Sequence, residues 1–144
     1  MQWHQFSVTV TIRYPGSVIS VNHYTGRRPD GGTYVKKEAK DFMEELGWLL
    51  KTAHIEDWTM PISVTCSGLF KDKNNTPDLS NLSKCILDGI EELTGINDQN
   101  FRWHDGAIWW NKAEEPMLTI TVKEERTQIG QVNEAKQSEI NQVN

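Results

Sequence analysis

The chain has 144 residues, a net charge of −5 and a pI near 5.3. That length suits one domain with one real core, and the acidic balance weighs against a nonspecific nucleic-acid binder, which carries a basic excess. No apolar run approaches the roughly 18 residues needed to span a membrane, and the opening MQWHQF lacks the basic and apolar regions of a signal peptide. Cys66 and Cys85 have no ligand-like spacing to each other or to histidine. They read as buried thiols in a reducing compartment, so a cytoplasmic protein is expected. The basic residues are unevenly spread: Arg27, Arg28, Lys36, Lys37 and Lys40 fall close together, and Lys71 and Lys73 precede the loop NNTPD.

Residues 6–14, FSVTVTIRY, alternate without a fault, with Phe6, Val8, Val10, Ile12 and Tyr14 on one face. This predicts a half-buried strand, ended by Pro15-Gly16. From Ser17 to Gly32 the glycines, proline and polar residues predict a long irregular loop, a place for binding. Val35 to His54 repeats Ala39, Phe42, Met43, Leu46, Leu49, Leu50 and Ala53 at helical intervals. Gly47 inside that helix costs about 1 kcal/mol relative to alanine and points to close packing. Ile62 to Phe70 alternates again as a second strand. Gly106 to Lys112 and Met117 to Lys123, separated by Glu114-Glu115-Pro116, predict two more strands joined as a hairpin.

The stretch from Asn74 to Gln99 carries the chemistry. Leu82, Cys85, Ile86, Gly89, Ile90 and Leu93 recur at three and four residues, the spacing of a core-facing helix side. The opposite side shows Ser80, Asn81, Lys84 and Asp88. Asp78 stands at the helix entrance, where backbone N–H groups point outward, and Asn97-Asp98-Gln99 follow the break at Gly95. Carboxylates before and after a helix that displays a lysine suggest a metal and phosphate site. Each residue also has a plainer role. Asp78 or Ser80 serves as an N-cap worth about 1 kcal/mol, and Lys84 with Asp88 makes an i,i+4 pair worth a few tenths. His4, His23, His54 and His104 show no ligand spacing, and Trp103, Trp109 and Trp110 read as packing rather than base-stacking residues.

The run PDLSNLSKCILDGIEELTGINDQ resembles the signature of the RusA-type Holliday junction resolvases, a family common in phages and prophages. Asp78, Asn81, Lys84, Asp88 and Asp98 fall on its positions, SVNHYTGRR is similar to the family's early loop, and GGTYVKKEAKDF to the start of its first helix. The likeness covers most of residues 6–124. It departs at Ser80, where many members have a second aspartate, and at Asn97, where they have the first of two adjacent acids. Mg²⁺ keeps several waters and tolerates few protein ligands, so such a site is thinner rather than dead.

The resemblance implies an Mg²⁺-dependent endonuclease, with Mn²⁺ as a substitute, that resolves four-way DNA junctions by paired symmetric nicks. Asp78, Lys84 and Asp98 would be catalytic, and Asp78 and Asp98, with Asp88 as a further candidate, would hold the metal. Asn22, His23, Tyr24, Arg27, Arg28, Lys71, Lys73 and Asn81 would contact DNA. A C2 homodimer is expected for a two-fold substrate, in a bacterial or phage-infected cytoplasm, with no membrane and no organic cofactor. A catalytically weakened junction binder of the same fold and an acidic protein-interaction module are the alternatives.

The expected architecture is α+β, β-α-β-α-β-β, with a mixed four-stranded sheet and two helices on one face. It occupies residues 1–124, with a polar tail at 125–144 that is disordered or a frayed helix. One geometric tension accompanies the site. A helix from Leu79 to Leu93 is about 22 Å long, and five linking residues span at most about 17 Å on the return. Either the helix is shorter, or Asp98 reaches Asp78 from a second subunit. Asp88, about 15 Å along an ideal helix from Asp78, cannot share one ion with it.

Overall fold

The computed structural model describes residues 6–21 and 23–125. The expected tail beyond Glu125, the first five residues and Asn22 lie outside the described residues. The alternation near the start of the chain forms β1 (Ser7–Arg13), with Ile12 and then Tyr14 buried. The expected irregular loop contains more order than its composition suggests. A 3₁₀ turn (Gly16–Ile19) is followed by a small hairpin of β2 (Thr25–Arg27) and β3 (Thr33–Val35). The hairpin closes locally: Gly31 has φ +91°, and Asp30 Oδ1 accepts from the Gly32 N–H at 2.9 Å. An aspartate bonding two residues ahead next to a left-handed glycine makes the reversal that pairs the two short strands.

The first long helix, α1 (Lys37–Thr52), buries Ala39, Phe42, Met43, Leu46 and Leu50 as expected, but Leu49 is exposed. The nine-residue β4 (Ile62–Phe70) is one of the two inner strands of the sheet. The second helix comes in two parts: a 3₁₀ turn at Leu79–Leu82, then α2 (Ser83–Thr94). Gly95, at φ +77°, ends it by donating to the Glu91 carbonyl at 2.8 Å, the left-handed stop for which glycine carries no Cβ penalty. β5 (Phe101–Trp110) and β6 (Met117–Glu124) complete the chain.

The sheet order is β1-β6-β4-β5, with β6 antiparallel to both neighbours and β5 parallel to β4. The α+β mixed four-stranded sheet with two helices is as expected; the hairpin of the last two strands is not. β4 lies between β5 and β6. The parallel β4–β5 pair needs a long crossover, and α2 supplies it. Alternation tells which face of a strand is buried, but it carries no information about which strand lies beside it. β5 also starts five residues earlier than its apolar core suggests, at Phe101, and its first half leaves Arg102, His104 and Asp105 exposed.

The two helices meet glycine to glycine. A Cβ on Gly47 would sit 2.7 Å from the Gly89 carbonyl oxygen, and one on Gly89 would sit 2.9 Å from Met43 Cβ. The missing side chains let the backbones approach, which explains a glycine mid-helix despite its propensity cost. That contact fixes where α2, and hence its outer face, stands relative to the rest of the core.

Candidate functional site

The loop leaving β4 is built by side-chain hydrogen bonds to its own backbone. Asp72 Oδ1 accepts from the Asn75 N–H at 3.0 Å and from Asn75 Nδ2 at 2.8 Å, and Thr76 Oγ1 donates to the Asp72 carbonyl at 2.7 Å. Pro77 then delivers Asp78 to the helix entrance. Asp78 does cap the 3₁₀ turn: its Oδ1 accepts from the Ser80 N–H at 3.2 Å and from Ser80 Oγ at 2.9 Å. Both bonds fall on Oδ1, and the residue is exposed. The cap therefore engages only one of the two carboxylate oxygens.

Asp78 opens onto a cavity of about 630 Å³. Lys71, Asn74, Asn75, His23, Ser20 and Asn81 line it, with Tyr14 and Pro116 at the sheet end. The Tyr14 hydroxyl is pushed up to about 12 by burial, so it stays neutral, and its ring packs edge-on against Phe70 at 5.4 Å. A carboxylate, amide oxygens and hydroxyls are hard donors of the kind Mg²⁺ or Mn²⁺ accepts, and the cavity has room for the waters such ions retain. The donor chemistry fits a divalent ion held by few protein ligands.

A second group lies on the outer face of α2. Lys84 Nζ donates to Asp88 Oδ2 at 3.1 Å, and the Tyr24 hydroxyl donates to the same oxygen at 3.0 Å. The Asp88 hydrogen bond, then the charges of Asp88, Tyr24 and Asp98, raise the Lys84 pKa above its ordinary 10.5. Burial, then the bond to Asp88, raises that of Tyr24. Asp98 folds back toward this face, its backbone N–H donating to Glu91 Oε1 at 3.2 Å. Lys84, Asp88 and Glu91 stand at i, i+4 and i+7, one stripe of an α-helix. Glu91 had escaped sequence reasoning; its place three residues beyond Asp88 was the available signal.

The expected site residues thus divide into two groups. Asp78, Asn81, His23 and Lys71 line the cavity; Lys84 and Asp88 on α2, with Asp98 in the turn after it, form one electrostatic group and do not line it. Among the described residues, no three His, Cys, Asp or Glu side chains come together as a ready metal cluster. The helical run is a 3₁₀ turn at Leu79–Leu82 continued by α2 from Ser83 to Thr94, so it is not shortened between Asp78 and Asp98. Tyr24, expected to touch DNA, is buried, and its hydroxyl donates to Asp88. Arg27 and Arg28 are exposed on the β2–β3 hairpin, and Lys73 is exposed on the loop after β4. Asn22 lies outside the described residues.

A family profile described as Endodeoxyribonuclease RusA matches residues 15–123, from just after β1 through nearly all of β6. The chain belongs to the RusA endodeoxyribonuclease family. The matched span contains Asp78, the Lys84 stripe and the acidic turn. No curated protein matches the sequence. Among solved structures, one described as "IspF (Plasmodium falciparum) CDP complex" is similar at 11% identity and a TM-score of 0.33, over 58% of this chain and 51% of that one. A likeness at that level carries no argument. Among the described residues no helix is long and apolar enough to cross a membrane.

Proposed function

We propose that this RusA-family protein is a divalent-metal-dependent endonuclease that resolves four-way DNA junctions by paired nicks, acting as a C2 homodimer. The observation that carries the reading is Asp78, which opens onto a polar cavity of about 630 Å³ while its other neighbours hold it by one oxygen only. Mg²⁺, with Mn²⁺ as a substitute, would be held by Asp78 with retained waters, and Asp98 would complete the protein ligands. When bound, the ion supplies Lewis-acid polarisation of the scissile phosphate and a water of lowered pKa.

The chain's own groups do the rest. Lys71 draws a phosphate toward the cavity, and Asn81 on its wall orients the ligands around Asp78. The Lys84 ammonium, kept charged by Asp88, meets negative charge developing on the phosphoryl oxygens. In this reading Asp88 positions Lys84, because it is paired with that ammonium and does not line the Asp78 cavity. Arg27, Arg28, Lys71 and Lys73 serve as phosphate contacts on an otherwise acidic body.

Incubating the purified protein with a synthetic four-way junction and Mg²⁺ should give symmetric nicks that chelation abolishes. Absence of nicks, or nicks indifferent to Asp78→Asn, overturns the proposal. Pairing Asp78→Asn chains with Asp98→Asn chains in one dimer decides how the two acids cooperate. One working site returns if they come from different protomers, and none if they act within one.

Ser80 favours a second reading. Its hydroxyl bonds to Asp78 where many family members carry another carboxylate, which fits a junction binder with weakened cleavage. Ser80→Asp would then raise cleavage well above the parent's while leaving junction affinity in place.

A further inference from the structure

We propose that the groove at the far end of β5 is a stacking platform for an unstacked nucleotide of branched DNA, with Trp110 meeting the base and Lys71, Lys73 and Lys112 meeting the flanking phosphates. The inference rests on the nuclease reading and adds to it a contact that recognises the branch itself. Trp110 is the last residue of an edge strand and is 48% exposed. Its indole is nonetheless held: Nε1 donates to Thr76 Oγ1 at 2.8 Å, and Thr76 is tied to the Asp72 carbonyl. Lys73 Nζ lies 5.6 Å from the ring centroid. A half-open aromatic face fixed in place, with ammonium groups around it, is the arrangement on which bases of single strands stack.

The charge pattern favours the same occupant. The protein carries −5 overall, yet this groove of about 360 Å³ is lined by three lysines and one acid, Asp72, whose Oδ1 already accepts twice from Asn75. Lys71 lines both this groove and the Asp78 cavity, so a strand seated on Trp110 runs directly toward Asp78. A second copy of this chain fits the edge less well. Lysines near an open edge and a register shift opposite Cys66/Gly68 both oppose strand-to-strand pairing.

The test uses the full chain in chelator, so that binding is read without cleavage, and a four-way junction carrying 2-aminopurine at the branch point. Binding should quench the 2-aminopurine. Trp110→Ala should weaken binding about tenfold or more and abolish the quench, and Trp110→Phe should restore most of both. Lys112→Ala should lower the slope of log affinity against log salt by about one. If Trp110→Ala binds and quenches as the parent does, the platform is refuted. If affinity instead falls in step with loss of dimer mass by light scattering, the face belongs to a second copy and the proposal fails. Quenching that depends on Trp110 without any metal-dependent nicking would leave the platform standing and remove the nuclease reading. Nicking that is indifferent to Trp110 would do the reverse.

Discussion

The acids at the helix entrance and on the helix flank have the same chemistry and opposite surroundings. Asp78 is exposed at a polar cavity, bonded through one oxygen to the serine two residues on. Asp88 is half-buried and accepts from Lys84 and Tyr24 together. One carboxylate caps a turn at the wall of the cavity; the other is paired with an ammonium on the helix flank. The difference teaches that in this fold an acid's role follows from what is fixed next to it, and that the lysine, not Asp88, is what the α2 flank presents.

The most severe way to break the contrast is Asp78→Asn. Asparagine caps a helix as well as aspartate, so the melting temperature should hold while junction cleavage falls by about 100-fold or more. A loss of both in thermal melts would show that Asp78 is only a cap. Lys84→Ala tests the other side: cleavage should drop by about 100-fold, whereas an exposed i,i+4 pair contributes about 0.5 kcal/mol or less to stability.

Gly89→Ala strikes both regions at once by prising apart the seam that sets α2. Overpacking costs about 1–3 kcal/mol against roughly 1 kcal/mol of helix propensity gained. Net destabilisation by chemical denaturation is the expected outcome, since the added Cβ meets Met43 at 2.9 Å.

Asp88→Asn sharpens the comparison through pH. Lys84's pKa is raised in the fold, so its pairing contributes fully below its ordinary 10.5 and is lost as pH rises through the raised value. Removing the Asp88 charge lowers that value. The alkaline limb of the cleavage–pH profile should therefore move to lower pH in Asp88→Asn, with stability changed by only a few tenths of a kcal/mol. An unmoved limb would separate Lys84 from the chemistry. The smallest effect is expected at the thiols. Burial pushes Cys66 and Cys85 up to about 12, so neither should react with a thiol reagent near pH 8 until the protein unfolds.

Much of this was legible in the residues. The alternating runs placed β1, β4 and β6, the apolar stripe placed α1, and Gly95 marked the end of α2, because side-chain periodicity and backbone freedom are local properties. The Asp78–Asn81–Lys84 spacing pointed to this stretch, of which Asp78 and Asn81 line the cavity and Lys84 does not. The β2–β3 hairpin was hidden because its few pairings rest on an aspartate-glycine turn inside a composition that resembles loop. The break between the 3₁₀ turn and α2 was hidden as well, since Leu79 and Leu82 continue the apolar stripe across it.

By itself the amino-acid order determined which faces of each element are apolar, where the helices stop and which polar groups are offered, since each depends on neighbours a few residues away. Only the tertiary structure decided that β4 separates β5 from β6, that Tyr24 shares an oxygen of Asp88 with Lys84, and that Asp78 opens onto a cavity which Lys84 and Asp98 do not line. Those arrangements join residues distant in the chain, such as Tyr24 and Asp88, 64 positions apart. They follow from packing two helices glycine to glycine over one sheet, which no local pattern specifies.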